Sequence, residues 1–480
     1  MRYTDFIRQQ CFIAGQWVDS DGGGQIAVRD PGNGETLGRV PNMGAAETHR
    51  AIAAAQAALP AWRAKTAAER AAILRRLFEL MIAHQDALAE LLSREQGKPF
   101  AEARGEIAYA ASFIEWFGEE AKRAYGEVIP AQAADRRIVT LKQPIGVVGA
   151  ITPWNFPAAM ITRKLGPALA SGCTMVLKPA TATPFSALAL AVLAEKAGVP
   201  AGVFNVVTGS AREIGGELCA NPLVRKISFT GSTEIGAQLM RDSAPTIKKL
   251  SLELGGNAPF IVFNDADLDA AVEGAIVSKF RNCGQTCVCT NRFYVQDGVY
   301  DAFVAKLAAR VRGLKLGYGM DAGTIIGPLI DAAALAKVEE HLADALAGGA
   351  KVLAGGARSP LGGNFFLPTV VADVRADMKI AREETFGPLA GVIRFHSEEE
   401  AIALANDSEF GLASYFYARD IGLVWRVAEA LEAGMVGINT GLISTEVAPF
   451  GGIKRSGLGR EGSRHGLDDY MEIKYLCMGV

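Results

Sequence analysis

Ile145-Gly-Val-Val-Gly-Ala-Ile151, set between Pro144 and Pro153, is a short apolar run with the character of a buried strand. Three more runs follow it: Cys173-Thr-Met-Val-Leu177, ended by Lys178-Pro179; Gly202-Val-Phe-Asn-Val-Val207; and Lys226-Ile-Ser-Phe229. Between and after them, Ala158 to Ala170, Pro184 to Ala197, Ala211 to Ala220 and Ser232 to Asp242 read as helices. Strands alternating with helices of this length predict βαβ units and a parallel, doubly wound sheet. A second alternating stretch, from Ala258 to about Asn439, predicts another α/β domain. Upstream, residues 45–125 are rich in Ala, Glu, Arg and Leu, and Ala67 to Leu92 carries apolar residues at helical spacing, which predicts one long amphipathic helix.

The chain has 480 residues, 49 basic and 52 acidic, for a formal net charge of −3. That length predicts two to four domains of about 100–200 residues each. Half the residues are hydrophobic and a fifth charged, which excludes a disordered, collagenous or coiled-coil chain. The balance of charge gives no reason for a nucleic-acid or anionic-membrane partner. No apolar run approaches the roughly 18 residues of a membrane-spanning helix. The first residues, Met1 to Arg8, lack the apolar stretch of a secretion signal.

Seven cysteines, an odd and sparse set, do not form a disulfide framework, and a reducing cytoplasm suits them best. Cys283, Cys287 and Cys289 cluster, but C-x3-C-x-C has no second pair, and the nearest histidines, His341 and His396, are more than fifty residues away. No metal site is expected.

One formal G-x-G-x-x-G is present, at Gly457, Gly459 and Gly462, in the wrong context for a dinucleotide: only 18 residues follow it. It reads as a loop. Phe229-Thr-Gly-Ser-Thr-Glu-Ile-Gly236 is the better candidate, because it follows a strand and Ser232 is placed to cap the next helix, whose N–H groups could hold a pyrophosphate. An ordinary β-to-α turn has the same spacing.

Three residues carry candidate chemistry. Cys287, in a polar, glycine-containing loop, is either an accessible thiolate nucleophile or a small buried hydrophobe. Glu253 ends an apolar segment at two glycines, where burial would raise its pKa toward that of a general base; the alternative is a solvated carboxylate on an edge strand. Asn155, between Pro153 and Pro157, lies at the carboxyl end of a parallel strand, where its amide could donate to an oxyanion or simply serve a turn.

Seven segments in one order resemble the aldehyde dehydrogenases along essentially the whole chain: Pro153-Trp-Asn-Phe-Pro157, Lys178-Pro-Ala180, Phe229-Thr-Gly-Ser232, Leu252-Glu-Leu-Gly-Gly256, Gly284-Gln-Thr-Cys287, Glu383-Glu-Thr-Phe-Gly-Pro388 and Pro449-Phe-Gly-Gly452. Longer runs, Lys279 to Cys289 and Asn439 to Phe450, are similar to the bacterial branch acting on succinate semialdehyde. The resemblance implies a Rossmann-type NAD(P)-binding domain (1–124 and 144–255), an α/β catalytic domain (256–445), and a small β oligomerisation extension (125–143 and 464–480) in a homodimer or homotetramer. It implies Cys287 as nucleophile, Asn155 and the Cys287 N–H as oxyanion donors, and Glu253 as the base that activates water against a thioester. For the cofactor it implies Lys178, with Pro179, Ala180 and Thr181, at the adenosine ribose and Glu384 at the nicotinamide ribose. Trp154, Asn155, Gly231, Ser232 and Phe386 would line the cleft, with the Leu254 carbonyl against the nicotinamide amide.

Arg163, Arg281 and Ser444 match the positions that hold the far carboxylate of the substrate. Unaided, they are two surface arginines and a loop serine. The implied reaction is oxidation of succinate semialdehyde to succinate, with glutarate semialdehyde as the alternative substrate. A neutral Thr181, where an acidic residue would favour NAD, predicts NADP as the preferred cofactor with NAD also permitted; the alternative is a residue that only caps a turn before Pro184. Cys289 is a candidate redox partner for Cys287.

Overall fold

The computed structural model describes residues 2–480. Four of the apolar runs become strands, and they lie parallel in one sheet in the order Phe204–Val206, Thr174–Lys178, Val147–Ile151, Val224–Thr230, followed by Lys249–Glu253. Thr174–Lys178 is buried along its whole length and Val147–Ile151 along nearly all of it, as a sheet covered by helices on both faces requires. The chain starts at Val147–Ile151, steps outward twice, then returns to place Val224–Thr230 on the other side. Strand order therefore reverses between Val147–Ile151 and Val224–Thr230, and the crevice beyond those two strand ends is where such sheets bind ligands.

Helices Pro184–Ala197 and Ala211–Ala220 have the predicted ends, because Pro184 opens the first, Gly198 ends it at φ +90°, and Ser210 caps the second. The predicted helix over 67–92 is instead two, Ala67–Ala83 and Gln85–Gln96. His84 leaves helical geometry at φ −116°, ψ 17°, with its ring edge-on to Phe6 at 5.5 Å. The bend lets Leu88, Leu91 and Leu92 enter the same apolar core as Leu74, Leu77 and Met81, which a straight helix would carry away from it.

The segment with the G-x-G-x-x-G spacing is not wholly loop. Gly457–Leu458 pairs antiparallel with Leu252 and Glu253 and covers that sheet edge. A Cβ on Gly457 would lie 1.8 Å from the Leu252 carbonyl oxygen, so glycine is what permits the approach.

The second α/β region repeats the winding. Leu389–Phe395, Thr290–Gln296, Ala258–Val262, Ala413–Tyr417 and Met435–Ile438 are parallel neighbours, with Thr369–Ala372 parallel and Lys351–Ala354 antiparallel at one edge. Separately, Met471–Gly479 pairs antiparallel with Arg136–Pro144 at every position, and Val128–Ile129 adds a third strand. Among the described residues no helix is long and apolar enough to cross a membrane, and no group of three or more His, Cys, Asp or Glu is placed to hold a metal ion.

Candidate active site

Two cavities share one wall. The larger, about 280 Å³, opens at the strand-order reversal and is lined by Trp154 and Asn155 after Val147–Ile151 and by Gly231 and Ser232 after Val224–Thr230. Leu254, Glu384 and Phe386 close it from the catalytic side. Ser232 caps the helix Thr233–Ser243 by accepting from the Ile235 N–H at 3.5 Å, so that helix start faces the cavity. Phe386 sits at φ +56°, with its ring edge-on to Trp154 at 5.5 Å. The Glu384 carboxylate accepts from the Gly256 N–H at 3.2 Å, and burial raises its pKa to about 7. A cavity with a free helix N-terminus at one end and a carboxylate at the other has donors for a pyrophosphate and an acceptor for ribose hydroxyls.

Four predicted cofactor residues lie outside this cavity. Lys178 is buried, donates to the Pro179 carbonyl at 3.0 Å, and burial lowers its pKa to about 8. Pro179 and Ala180 follow it at the strand end, and Thr181 is exposed on a separate groove beside Arg29 and Asp30 of the N-terminal hairpin.

The smaller cavity, about 30 Å³, brings Arg163, Arg281 and Ser444 together against Cys287. Cys287 and Met160 line both cavities. Cys287 is partly exposed, whereas Cys283 and Cys289 are buried; the Cys289 thiol donates to the Lys279 carbonyl at 3.0 Å. Burial pushes the Cys287 thiol up to about 12, opposed by Arg163 and Arg281 and reinforced by Glu384 and Glu253. Arg163 is buried; it donates to the Tyr109 hydroxyl at 2.8 Å, and its Nε lies 3.4 Å from a Glu461 oxygen. Arg281 is half-buried over the Phe156 ring at 5.3 Å and, among the described residues, makes no direct ion pair. Neither arginine is the surface residue that its sequence context alone suggests.

Asn155 is buried, and its amide nitrogen donates to the Gln285 carbonyl at 3.1 Å, two residues before Cys287. Glu253 lines neither cavity; it is only 3 % exposed, which removes the reading of a solvated edge-strand carboxylate. Burial first, and Glu461 second, hold its pKa well above the carboxylate range, with Lys164 and Arg163 as the opposing charges. Lys164 bonds Glu461 at 2.5 Å.

Sequence reading missed Met160, Tyr109, Lys164, Glu461 and Lys337, the last of which also lines the larger cavity. Met160 had a usable signal, since it lies three residues before Arg163 on one helix and so shares its face. Lys337 and Glu461 come from distant segments with no local mark.

A doubly wound sheet with a ligand crevice at its switch point, sharing a wall with a thiol-bearing pocket, defines a two-substrate enzyme that works through a cysteine. The chain belongs to the aldehyde dehydrogenase family, whose model matches residues 17–476. It is 69% identical to a glutarate-semialdehyde dehydrogenase of Pseudomonas aeruginosa, over 100% of this chain and 99% of that one. It is 68% identical to the succinate-semialdehyde dehydrogenase [NADP(+)] of Escherichia coli, over 99% of each. The crystal structure of succinate-semialdehyde dehydrogenase from Burkholderia pseudomallei superimposes with a TM-score of 0.99, at 66% identity and 99% coverage of both chains.

Proposed function

We propose that this chain oxidises succinate semialdehyde to succinate with NADP as the preferred hydride acceptor. The observation that carries the reading is the small cavity in which Arg163, Arg281 and Ser444 stand opposite Cys287. An arginine fork matches a carboxylate in shape and charge, so a short aldehyde with an anionic far end would be held with its carbonyl at the thiol. Relatives named for succinate semialdehyde, glutarate semialdehyde and 3-sulfolactaldehyde, at 68%, 69% and 62% identity, all act on short anionic aldehydes. Glutarate semialdehyde is the second reading, favoured by the 69% relative; one methylene separates such substrates by only about 1–3 kcal/mol.

Cys287, partly exposed, gives its thiol proton to solvent water, and its sulfur attacks the aldehyde carbon as the carbonyl electron pair moves onto oxygen. Asn155 and the Cys287 N–H donate to the resulting oxyanion, and one such donor contributes about 10²–10³ in turnover. Gly231, Ser232 and Glu384 of the larger cavity would hold NADP, which would supply the acceptor for the hydride leaving that carbon, and the electron pair on oxygen would collapse to give the thioester. Glu253 then takes a proton from water, which attacks the thioester and releases the acid and the thiol. Glu253 needs to turn toward Cys287 for this step, since it lines neither cavity.

The eight-, seven- and three-stranded sheets support a division into cofactor, catalytic and oligomerisation parts. Exposed Ile473, Tyr475, Val128 and Leu141 on the three-stranded sheet support its burial in a homodimer or homotetramer. Unpaired thiols support a reducing cytoplasm.

The test is absorbance at 340 nm with NADP or NAD and a panel of succinate semialdehyde, glutarate semialdehyde and butyraldehyde. The highest kcat/KM for succinate semialdehyde with NADP is the expected result. Equal rates for butyraldehyde would remove the carboxylate pocket from the reading.

A further inference from the structure

A second charged cluster lies on the other side of Asn155, outside both cavities. Lys98 and Glu106 form an ion pair at 2.6 Å with side chains 0% and 1% exposed. Two ions buried that completely are retained against a desolvation cost that apolar residues would not incur, so their polar contacts are worth following. The Lys98 ammonium also donates to the Asn155 carbonyl at 2.7 Å and sits over the Phe156 ring at 3.7 Å. The other Glu106 oxygen accepts from the N–H groups of Ala158 and Ala159, at 2.9 and 3.3 Å, where the helix Ala159–Ser171 begins. The pair thus holds the turn around Asn155 from both ends.

The same segment reaches the cysteine loop. Glu102, one helical turn before Glu106, accepts from the Asn282 N–H at 2.8 Å. Asn282 and Cys283 are held at φ +51° and +56°, a conformation that non-glycine residues adopt only where their surroundings impose it. The Asn282 amide donates to the Asn155 carbonyl at 2.9 Å and to the Gln285 carbonyl at 3.2 Å, the latter oxygen being shared with the Asn155 amide. The Asn155 carbonyl therefore has two donors, one from each half of the molecule.

We propose that the buried Lys98–Glu106 pair is a positioning device that fixes the Asn155 amide relative to the Cys287 loop, so that its removal lowers the chemical step through Asn155. This rests on Asn155 being an oxyanion donor, as proposed above. Lys98 and Glu106 touch neither cavity; they act through the turn they hold.

The test is a double-mutant cycle on the single-turnover rate of reduced-cofactor formation, with cofactor affinity measured in parallel by fluorescence. One arm is Lys98→Met with Glu106→Gln, which removes both charges of the ion pair together and keeps the Glu102 bond to the Asn282 N–H. The other is Asn155→Ala. The charge-free pair should slow the parent at least tenfold, with cofactor affinity within about twofold, and slow the Asn155→Ala enzyme less than twofold. Should the charge-free protein not fold, Glu106→Asp, which keeps the charge and withdraws the carboxylate by one methylene, takes its place in the same cycle. A full tenfold loss in both backgrounds, or no loss in the parent, would overturn the proposal. If Asn155→Ala alone leaves the rate unchanged, the oxyanion role itself fails, and the two failures are told apart.

Discussion

Replacing Arg281 by Met separates the two arginines of the small cavity. Arg163 is committed: its guanidinium donates to Tyr109, its Nε lies 3.4 Å from Glu461, and it stacks 4.2 Å over the Phe450 ring. Arg281 makes no direct ion pair among the described residues, the Glu102 charge acting on it from farther off, and it lines the same cavity. The incoming carboxylate therefore gains most from Arg281. A hydrogen bond to a charged group is worth about 1.5–3 kcal/mol, and 1.4 kcal/mol is tenfold, so Arg281→Met should lower kcat/KM for succinate semialdehyde by roughly 10- to 150-fold. Butyraldehyde, of equal length and uncharged, should lose less than about threefold, within the spread expected of a packing change.

Arg163→Met is the contrasting perturbation. It removes one of the two nearest positive charges opposing the Glu253–Glu461 pair, so both aldehydes should suffer. Arg163 lowers the Glu253 pKa; without it that pKa rises further, and the rise of kcat with pH should move to higher pH. The assay is kcat/KM for both aldehydes over a pH series in all three proteins. Equal losses for the two aldehydes in Arg281→Met would refute the assignment of Arg281 to the carboxylate and leave it a packing role over Phe156.

Cys287→Ala should abolish dehydrogenation while cofactor affinity, measured by fluorescence titration, stays unchanged; residual turnover above a few per cent would move the nucleophile elsewhere. Glu253→Gln should still release one equivalent of reduced cofactor in a stopped-flow burst and then nearly stop, because thioester formation precedes the water step; a missing burst would place Glu253 at the thiol proton. Thr181→Glu should shift the NADP/NAD ratio of kcat/KM toward NAD by at least about tenfold, or 1.4 kcal/mol; an unchanged ratio would confine Thr181 to the groove it lines. Burial lowers Lys178 to about 8, so its charge is present below that pH and lost above it. KM for NADP should therefore rise above pH 8, and in Lys178→Arg that inflection should vanish.

The sheet that builds the cofactor crevice was legible because its strands are short, wholly buried and punctuated by proline and glycine. Proline at a helix start and glycine just past its end act within a few residues, which is why both ends of Pro184–Ala197 could be read. The break at His84 was not legible, since apolar spacing continues across it and the bend comes from packing against Phe6 and the neighbouring core. The antiparallel edge strand Lys351–Ala354 was likewise hidden, because pairing partners are not written in a strand's own sequence. Chemistry was legible where residue type alone limits the role, as for Cys287, Glu253 and Asn155. Their charge environment was not, because Lys164–Glu461 and Lys98–Asn155 join segments far apart in the chain.

That environment bears on why Cys287, of the three thiols, is the one proposed to react. Cys283 and Cys289 are buried, and burial raises both pKa values; Cys283 has only Lys279 opposing it, against Glu102 and Cys289. Burial also dominates at Cys287, where Arg163 and Arg281 oppose it as Lys279 and Arg281 do at Cys289, so opposing charge does not single Cys287 out; of the three thiols it is the one that lines both cavities. A thiol pushed up to about 12 by burial carries little of the thiolate that attacks electrophiles. On the proposed reading, an aldehyde whose far carboxylate docks on Arg281 would bring its carbonyl to that sulfur and spend positive charge that had favoured the thiolate. The carboxylate pocket thus costs nucleophilicity as it gains binding, so the proton acceptor and the oxyanion donors have to make up the difference. On that reading the aldehyde carbonyl would lie beside Asn155, which is held by contacts from both halves of the molecule. Rigid placement of that donor is worth most in a site whose own electrostatics leave the thiol neutral.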